Sequence, residues 1–362
     1  MTRSNRFVIY LAVLPRYRDA CIEFVQAELG DDVAIFVSAA HLDSTVTTGI
    51  RSSAYTSVKM IRLFQRRAFL QVGGGFAAVR ASTTLIDLNP RSLTAWVILI
   101  SRAVLRRRTL VWGHLYPQAG KSSTTARLRT TMRRLAAGTV TYTLSNLAAA
   151  QRDIAGKPVW AAPNAIYSKS QLQRPIQSEH PRHDLIYVGR FEPAKKVALA
   201  LQAFSIFVKD EPSARFVLVG GGSLEPALRK LAMDLGILHQ VEFAGWIDDF
   251  ERLRVIYSSA FASVSPGFAG LGLTQSLGFG VPMIIADGEQ HSPEIELATP
   301  EQSTWFRSDD ISEFALAIAQ QWKSRSQLPL LDTIAHVANV YSADSMAEGL
   351  VDALRGKEQR KQ

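Results

Sequence analysis

The stretch SPGFAGLGLTQSLGFGVP, Ser265–Pro282, holds five glycines and no charged residue. It follows the apolar run Ala260–Val264, which reads as a buried strand, and it leads into a helix near 271–279. Glycine lets a backbone approach a ligand or another segment closely. Successive N–H groups in such a turn form a nest for an anion, and the helix start adds the positive end of its dipole. The stretch reads as a strand-to-helix loop at the ligand edge of an α/β sheet.

Two more glycine-marked loops precede it. In LIYVGRFEPAKK (185–196), Gly189 ends a strand, and Arg190 and Lys195 follow before the next helix. A guanidinium fork and an ammonium beside a helix start make an anion site. In FVLVGGGSLEPALRKL (216–231), Gly220, Gly221 and Gly222 mark a tight turn, with Ser223 expected to cap the helix. Alone, either loop reads equally as an ordinary strand-to-helix connection with solvated cations.

The same alternation runs along most of the chain. Strands are expected at 7–14, 33–38, 83–88, 109–113, 139–144 and 158–163, with helices at 17–29, 93–105, 125–137 and 146–155 between them. After a polar stretch with two prolines (167–184), the pattern restarts. Strands are expected at 184–189, 215–220, 241–245, 260–265 and 282–287. Helices are expected at 194–208, 224–236, 249–259, near 310–323 and at 344–354. Apolar strands alternating with helices predict parallel sheets covered on both faces. The expected organisation is a Rossmann-like domain 1–166, a linker 167–183, a second such domain 184–340, and a C-terminal helix 341–362 crossing back to the first domain. Length agrees with two domains, and the site is expected in the cleft between them.

Composition excludes several classes. A single cysteine, Cys21, rules out an intrachain disulfide. The N-terminal apolar run is too short for a secretory signal followed by its cleavage region, and Leu93–Ser101 is too short to span a bilayer. The expectation is a cytoplasmic protein, peripheral on the inner face of the membrane. The net charge of +9 is uneven: residues 1–165 carry 22 Lys and Arg against 8 Asp and Glu, whereas residues 166–362 carry 19 against 24. The basic run Arg102, Arg106–Arg108, Lys121, Arg127, Arg129, Arg133 and Arg134 is read as facing an anionic membrane surface. No nucleic-acid-binding pattern accompanies it. The G-x-G-x-x-G of a dinucleotide dehydrogenase is absent after the first strand, LAVLPRYRD.

The order GRFEPAKK, VLVGGGSLEPALRKLAMDLGILHQVEFAGWI, SPGFAGLGLTQSLGFGVPMI resembles the donor domain of retaining family 4 glycosyltransferases of the GT-B fold. LNPRS…WGHLYP (88–117) resembles a polysaccharide-building subgroup more loosely. The resemblance implies a nucleotide-diphosphate sugar as donor substrate, no cofactor, no metal, and a glycan or lipid-linked acceptor in polysaccharide or glycolipid assembly. Arg190 and Lys195 would hold the diphosphate. Gly189, Gly220, Gly221, Trp246 and Ile247 would border the nucleotide, and N–H groups of Phe268, Ala269, Gly270 and Leu271 would meet the sugar and distal phosphate. Relatives carry two glutamates eight positions apart; this chain has Gly267 and Gln275 there, so sugar reading departs from the pattern. ADGEQHSPEIE (286–296) offers Asp287, Glu289, His291, Glu294 and Glu296 as replacements. Ser292 and Pro293 read first as a helix cap, and Glu294 is placed on the donor side. On the first domain, His114 ends a strand and would bond sugar or acceptor hydroxyls, while Arg16 and Arg18 would face a diphosphate or an anionic acceptor. A non-catalytic nucleotide-sugar-binding protein and a sugar-nucleotide epimerase of the same fold remain alternatives.

Overall fold

The computed structural model describes residues 5–42, 47–116, 123–173 and 182–358. In chain order the first elements are β1 (Phe7–Tyr10), α1 (Asp19–Leu29), β2 (Val33–Val37), β3 (Thr56–Ser57), β4 (Lys59–Leu63), β5 (Ala68–Val72), α2 (Gly75–Arg80), β6 (Thr83–Asp87), α3 (Leu93–Val104), β7 (Arg108–Trp112), α4 (Thr124–Leu135), β8 (Gly138–Thr141), α5 (Ser145–Asp153), β9 (Val159–Ala161) and α6 (Lys169–Leu172). Then follow β10 (Asp184–Val188), α7 (Val197–Phe207), β11 (Arg215–Val219), α8 (Glu225–Asp234), β12 (Val241–Gly245), α9 (Phe250–Ser258), β13 (Ala260–Ser265), α10 (Leu271–Gly278), β14 (Met283–Asp287), β15 (Ser303–Arg307), α11 (Ile311–Ser324), α12 (Leu331–Val340) and α13 (Ala343–Arg355). No helix among the described residues is long and apolar enough to cross a membrane.

Two units result: residues 1–169 with 340–362, and residues 170–339. The first is built on a parallel sheet ordered β3-β2-β1-β6-β7-β8-β9. Its core joins the strands to α1 and α13, through Ile22, Val25, Met346, Leu350 and Leu354. The second is built on a parallel sheet ordered β12-β11-β10-β13-β14-β15. Phe204, Phe207, Phe261 and Trp322 interlock on one of its faces. Both orders reverse direction once, between β1 and β6 and between β10 and β13. Loops at such a switch point diverge and leave a crevice at the carboxyl ends of the strands.

Several expectations from sequence are corrected. The strand expected at 7–14 ends at Tyr10, because the Ala12 N–H leaves the sheet and donates to the Asp87 carboxylate. The helix expected at 194–208 starts at Val197; a 3₁₀ turn, Pro193–Lys195, precedes it, and Lys196 takes a left-handed φ of 49°. Ser223 does not cap α8, whose first turn has no side-chain cap. At the start of the stretch expected as a linker, Tyr167, Ser168 and Leu172 are buried; Pro175 and Pro181 lie outside the described residues. The antiparallel pair β4–β5, β15 and α12 were not anticipated.

Within the basic run, Arg106, Arg127 and Arg134 are exposed, and other members are corrected. Arg102 is fully buried and donates to the carbonyls of Ala78, Val79, Ala81, Ser82 and Arg108 and to the Thr109 hydroxyl. Arg107 and Arg108 reach the carbonyls of Arg80 and of Ala353 and Leu354. Arg129 holds the His114 carbonyl, and the buried Arg133 pairs with Asp153 and the Ala150 carbonyl. These cations satisfy helix and strand ends, and Arg102 and Arg133 do so out of reach of water. Lys121 lies outside the described residues. Replacing Arg102 by Met is expected to cost at least about 3 kcal/mol, since several buried carbonyls lose their donor at once. A urea melt checks this, and an unchanged midpoint would refute the clamp.

Candidate functional site

The site is assembled from two loops of the second unit, 189–196 after β10 and 266–270 after β13. They meet at the switch point. Phe268 donates its N–H to the Ala194 carbonyl (3.1 Å), and Lys195 Nζ donates to the Phe268 carbonyl (2.7 Å) while standing 4.7 Å from the Phe268 ring centre. A Cβ on Gly267 would lie 2.3 Å from the Ala194 carbonyl oxygen, so no side chain fits there without moving the loop. The Gly220 turn braces the first loop from the other side. Phe191 donates to Gly221 (2.8 Å), and a Cβ on Gly220 would lie 1.8 Å from the Gly189 oxygen.

This packing fixes the two cations. Arg190 is exposed at the crest of its loop, and its carbonyl accepts the Tyr187 hydroxyl (2.8 Å). Lys195 is half-buried beside it, and burial together with the Arg190 charge pushes its ammonium down to about 8. Two like charges are thus held together, and among the described residues no carboxylate pairs with either of them. Lys196, by contrast, is neutralised: its Nζ bonds Glu289 (2.6 Å) and Asp309 (2.8 Å), tying the loops after β14 and β15 to the start of α7. Glu289 is held below the usual carboxylate range by Lys196 and by the Ser308 hydroxyl.

The N–H groups expected to meet a ligand are divided. Those of Phe268 and Ala269 are used within the protein, on Ala194 and on His291 Nδ1 (3.1 Å). Leu271 and Gly272 stand in the first turn of α10, where N–H groups have no intrahelical acceptor. His291 Nε2 bonds the Ala286 carbonyl (2.9 Å), so the ring is the neutral Nε2–H tautomer, and burial keeps its pKa below the ordinary value. The ring braces the glycine loop to the end of β14.

Residues 168–329 match the family model described as Glycosyl transferases group 1. The chain is similar to the crystal structure of Anabaena HepE in complex with UDP, with a TM-score of 0.70 at 13% identity, covering 97% of this chain and 100% of that one. The fold is GT-B. Two curated relatives are similar over shorter stretches. One is the human GDP-Man:Man(3)GlcNAc(2)-PP-Dol alpha-1,2-mannosyltransferase, 28% identical over 38% of this chain and 31% of its own length. The other is D-inositol 3-phosphate glycosyltransferase of Acidothermus cellulolyticus, 33% identical over 28% of this chain and 25% of its own length. The chain thus spans under a third of the length of the curated relatives it matches.

In this GT-B chain the remaining predicted residues fall in different settings. Gln275 is only 8% exposed, and its Oε1 accepts the Tyr257 hydroxyl (3.3 Å) under the stacked Phe279 ring. Glu294 is buried beneath the glycine loop and accepts the Ser292 hydroxyl. Ser292 does stand at the N-cap of the 3₁₀ turn Pro293–Leu297, but its hydroxyl serves Glu294 rather than the turn. Trp246 is 65% exposed just past β12, with Ile247 half-buried beside it.

In the first unit, the loops after β1, β2, β6, β7 and β8 line an open cleft of about 390 Å³. Arg18 and His114 line it, and Arg16 does not; Arg16 is exposed on the turn Arg16–Arg18. The His114 ring lies 4.7 Å from that of Tyr142. Sequence reasoning missed Asp87, which also lines this cleft, and the bracing role of His291.

Gly267→Ala is expected to destabilise the second unit by about 1–3 kcal/mol through overpacking against Ala194. Urea melts of the two proteins measure it, and equal midpoints would mean that the loops part freely.

Proposed function

We propose that this chain is a retaining, metal-independent hexosyltransferase. It moves a sugar from a nucleotide-diphosphate donor to a glycan or lipid-linked glycan acceptor in polysaccharide or glycolipid assembly. The observation that carries the reading is the uncompensated pair Arg190 and Lys195, held beside the open first turn of α10. A diphosphate leaving group supplies the missing negative charge, and the build-up of that charge at bond breaking is what preset donors stabilise most. The UDP bound to the HepE structure and the mannosyl and inositol glycosyl activities named for the relatives support the same chemistry. In a retaining mechanism of this kind the departing phosphate accepts the acceptor's proton, so the chain needs no strong side-chain base. Gln275 and Glu294, both buried, support the donor side from within the unit.

The test is nucleoside diphosphate binding and release across a panel of UDP- and GDP-sugars. Arg190→Ala and Lys195→Ala are each expected to weaken diphosphate binding about ten- to a hundredfold, the worth of a charge-assisted bond. Lys195 must be protonated to bind, and a bound diphosphate raises its pKa. Affinity is therefore constant below pH 8 and falls by up to about tenfold per pH unit above it. A flat pH profile with unaffected variants would remove the diphosphate assignment. Release that occurs only with an acceptor separates the transferase from the binding protein; turnover without one would favour the epimerase.

We also propose that the protein works on the cytoplasmic face of a membrane, and a second patch besides the exposed Arg106, Arg127 and Arg134 supports this. The outward face of β4–β5 and α2 exposes Ile61, Phe64, Val72 and Phe76 among Lys59, Arg62, Arg66, Arg67 and Arg80, with no acid between them. Apolar side chains ringed by cations suit an anionic bilayer, each cation adding about 1 kcal/mol. Sedimentation with phosphatidylglycerol vesicles but not phosphatidylcholine vesicles is expected, and Phe64→Ser with Phe76→Ser is expected to abolish it. Equal sedimentation of the double variant would rule this face out.

A further inference from the structure

Two consecutive residues of the loop after β13 have all their backbone groups engaged. Phe268 gives its N–H to Ala194, and its carbonyl accepts Lys195 Nζ. Ala269 gives its N–H to His291 Nδ1 (3.1 Å), and its carbonyl accepts the Ser292 N–H (2.9 Å). The loop after β10 thus holds Phe268, and the loop after β14 holds Ala269. This hold decides where α10 begins. The helix has Gly270 at its N-cap and no side-chain cap, so its open first turn is placed by the loop alone.

Three of these four bonds run from a lasting donor to a carbonyl and keep their sense at any pH near neutrality. The fourth depends on a lone pair. His291 Nδ1 accepts only while the ring is neutral; a proton there makes it a second donor, aimed at an N–H. Nε2 cannot take over, because it gives its hydrogen to the Ala286 carbonyl (2.9 Å). Protonation therefore leaves the ring anchored to the end of β14 and removes its partner on the glycine loop. Ala269 is buried, so its N–H is then left without an acceptor.

The charges facing the ring are mixed. Asp287 and Glu289, on its own loop, favour the proton, and Lys195, bonded to the neighbouring Phe268, opposes it. Glu289 is already engaged by Lys196 and Ser308, and Glu294 by the Ser292 hydroxyl. Trp305 of β15 presents its ring, 5.9 Å away. Burial outweighs the two acids and holds the ring below its ordinary pKa. The bond is thus complete at neutral pH and is lost as the pH falls through that lowered value.

We propose that His291 is an acid-sensitive positioning residue of the donor site: the neutral ring fixes the glycine loop and the first turn of α10, and the protonated ring releases them. That the loop serves a diphosphate donor rests on the transferase reading above; the proton-dependent hold on Ala269 does not.

The first measurement needs no ligand. Hydrogen exchange of the Ala269 amide, corrected for its intrinsic rate, is followed in the full chain from about pH 7.5 to about pH 5, with the ring nitrogens of His291 observed by NMR in the same buffers. Protection of Ala269 is expected to fall about tenfold as the ring takes its proton, the worth of one lost hydrogen bond. In His291→Asn, whose Oδ1 replaces Nδ1 as acceptor and does not titrate, protection is expected to stay level. Level protection in the parent overturns the inference, and so does a neutral ring that carries its hydrogen on Nδ1.

The second measurement is the affinity for UDP-glucose, UDP-galactose and GDP-mannose, whose esterified phosphates keep a constant charge over this range. Any that binds is expected to lose about tenfold in affinity towards acid pH in the parent but not in His291→Asn. His291→Gln, which can reach Ala286 but offers Ala269 no acceptor, is expected to bind weakly throughout. Affinity that rises in acid would mean that the ring acts only as a charge, and equal acid limbs in the parent and His291→Asn would place the titration elsewhere; either overturns the positioning role. If none of the three binds, the diphosphate reading fails and the exchange of Ala269 decides this one. If His291→Asn does not fold, the exchange profile of the parent decides.

Discussion

The candidate donor site depends on one backbone contact, the Phe268 N–H on the Ala194 carbonyl. It closes two switch-point loops onto each other and leaves no room for a side chain at Gly267. It also brings Lys195 over Phe268, where the ammonium is desolvated next to Arg190. The charge crowding follows from the contact and is not an independent feature. The Ala194 carbonyl occupies the space that a side chain at Gly267 would need. A side chain could stand there only if the Pro193–Lys195 turn moved away.

The basic half of the chain follows from a different constraint. Parallel sheets need long crossovers, and each crossover helix ends in carbonyls without partners. In the first unit these ends are met largely by arginine. Arg102 reaches back to the end of α2 and its exit, Arg107 reaches the same exit, Arg108 reaches the last turn of α13, and Arg133 reaches α5. A guanidinium can hold several carbonyls at once because its donors fan out in a plane. Net charge in this unit therefore overstates its attraction for a polyanion, since much of that charge is turned inward.

The alternation of apolar strands and helices was legible because a strand buried on both faces cannot hide its composition. The switch-point loops were legible because glycines mark them. Boundaries failed where a side chain took a backbone group, as Asp87 does at Ala12, or where a residue such as Lys196 adopts a left-handed conformation that its type does not announce. The pair β4–β5 was missed because its turn, at Phe64–Arg67, has three positive-φ residues and none is glycine or asparagine. Gly267 was read as the loss of a side chain, and only the neighbouring loop shows that it is a requirement of close approach. The role of His291 rests on which ring nitrogen faces Ala269, which no sequence pattern encodes.

The two switch points make the same architectural opening and fill it with different electrostatics. In the second unit the loops bring two cations together and leave the nearest carboxylates, Glu289 and Asp309, bound to Lys196. In the first unit the one acid of a long basic stretch, Asp87, is placed near Arg18 at the cleft. Asp87 and Arg18 lie close enough to offset each other's charge, so the first opening carries a weaker positive field than the second, where Arg190 adds to Lys195. An anion is therefore drawn to the second opening rather than to the first.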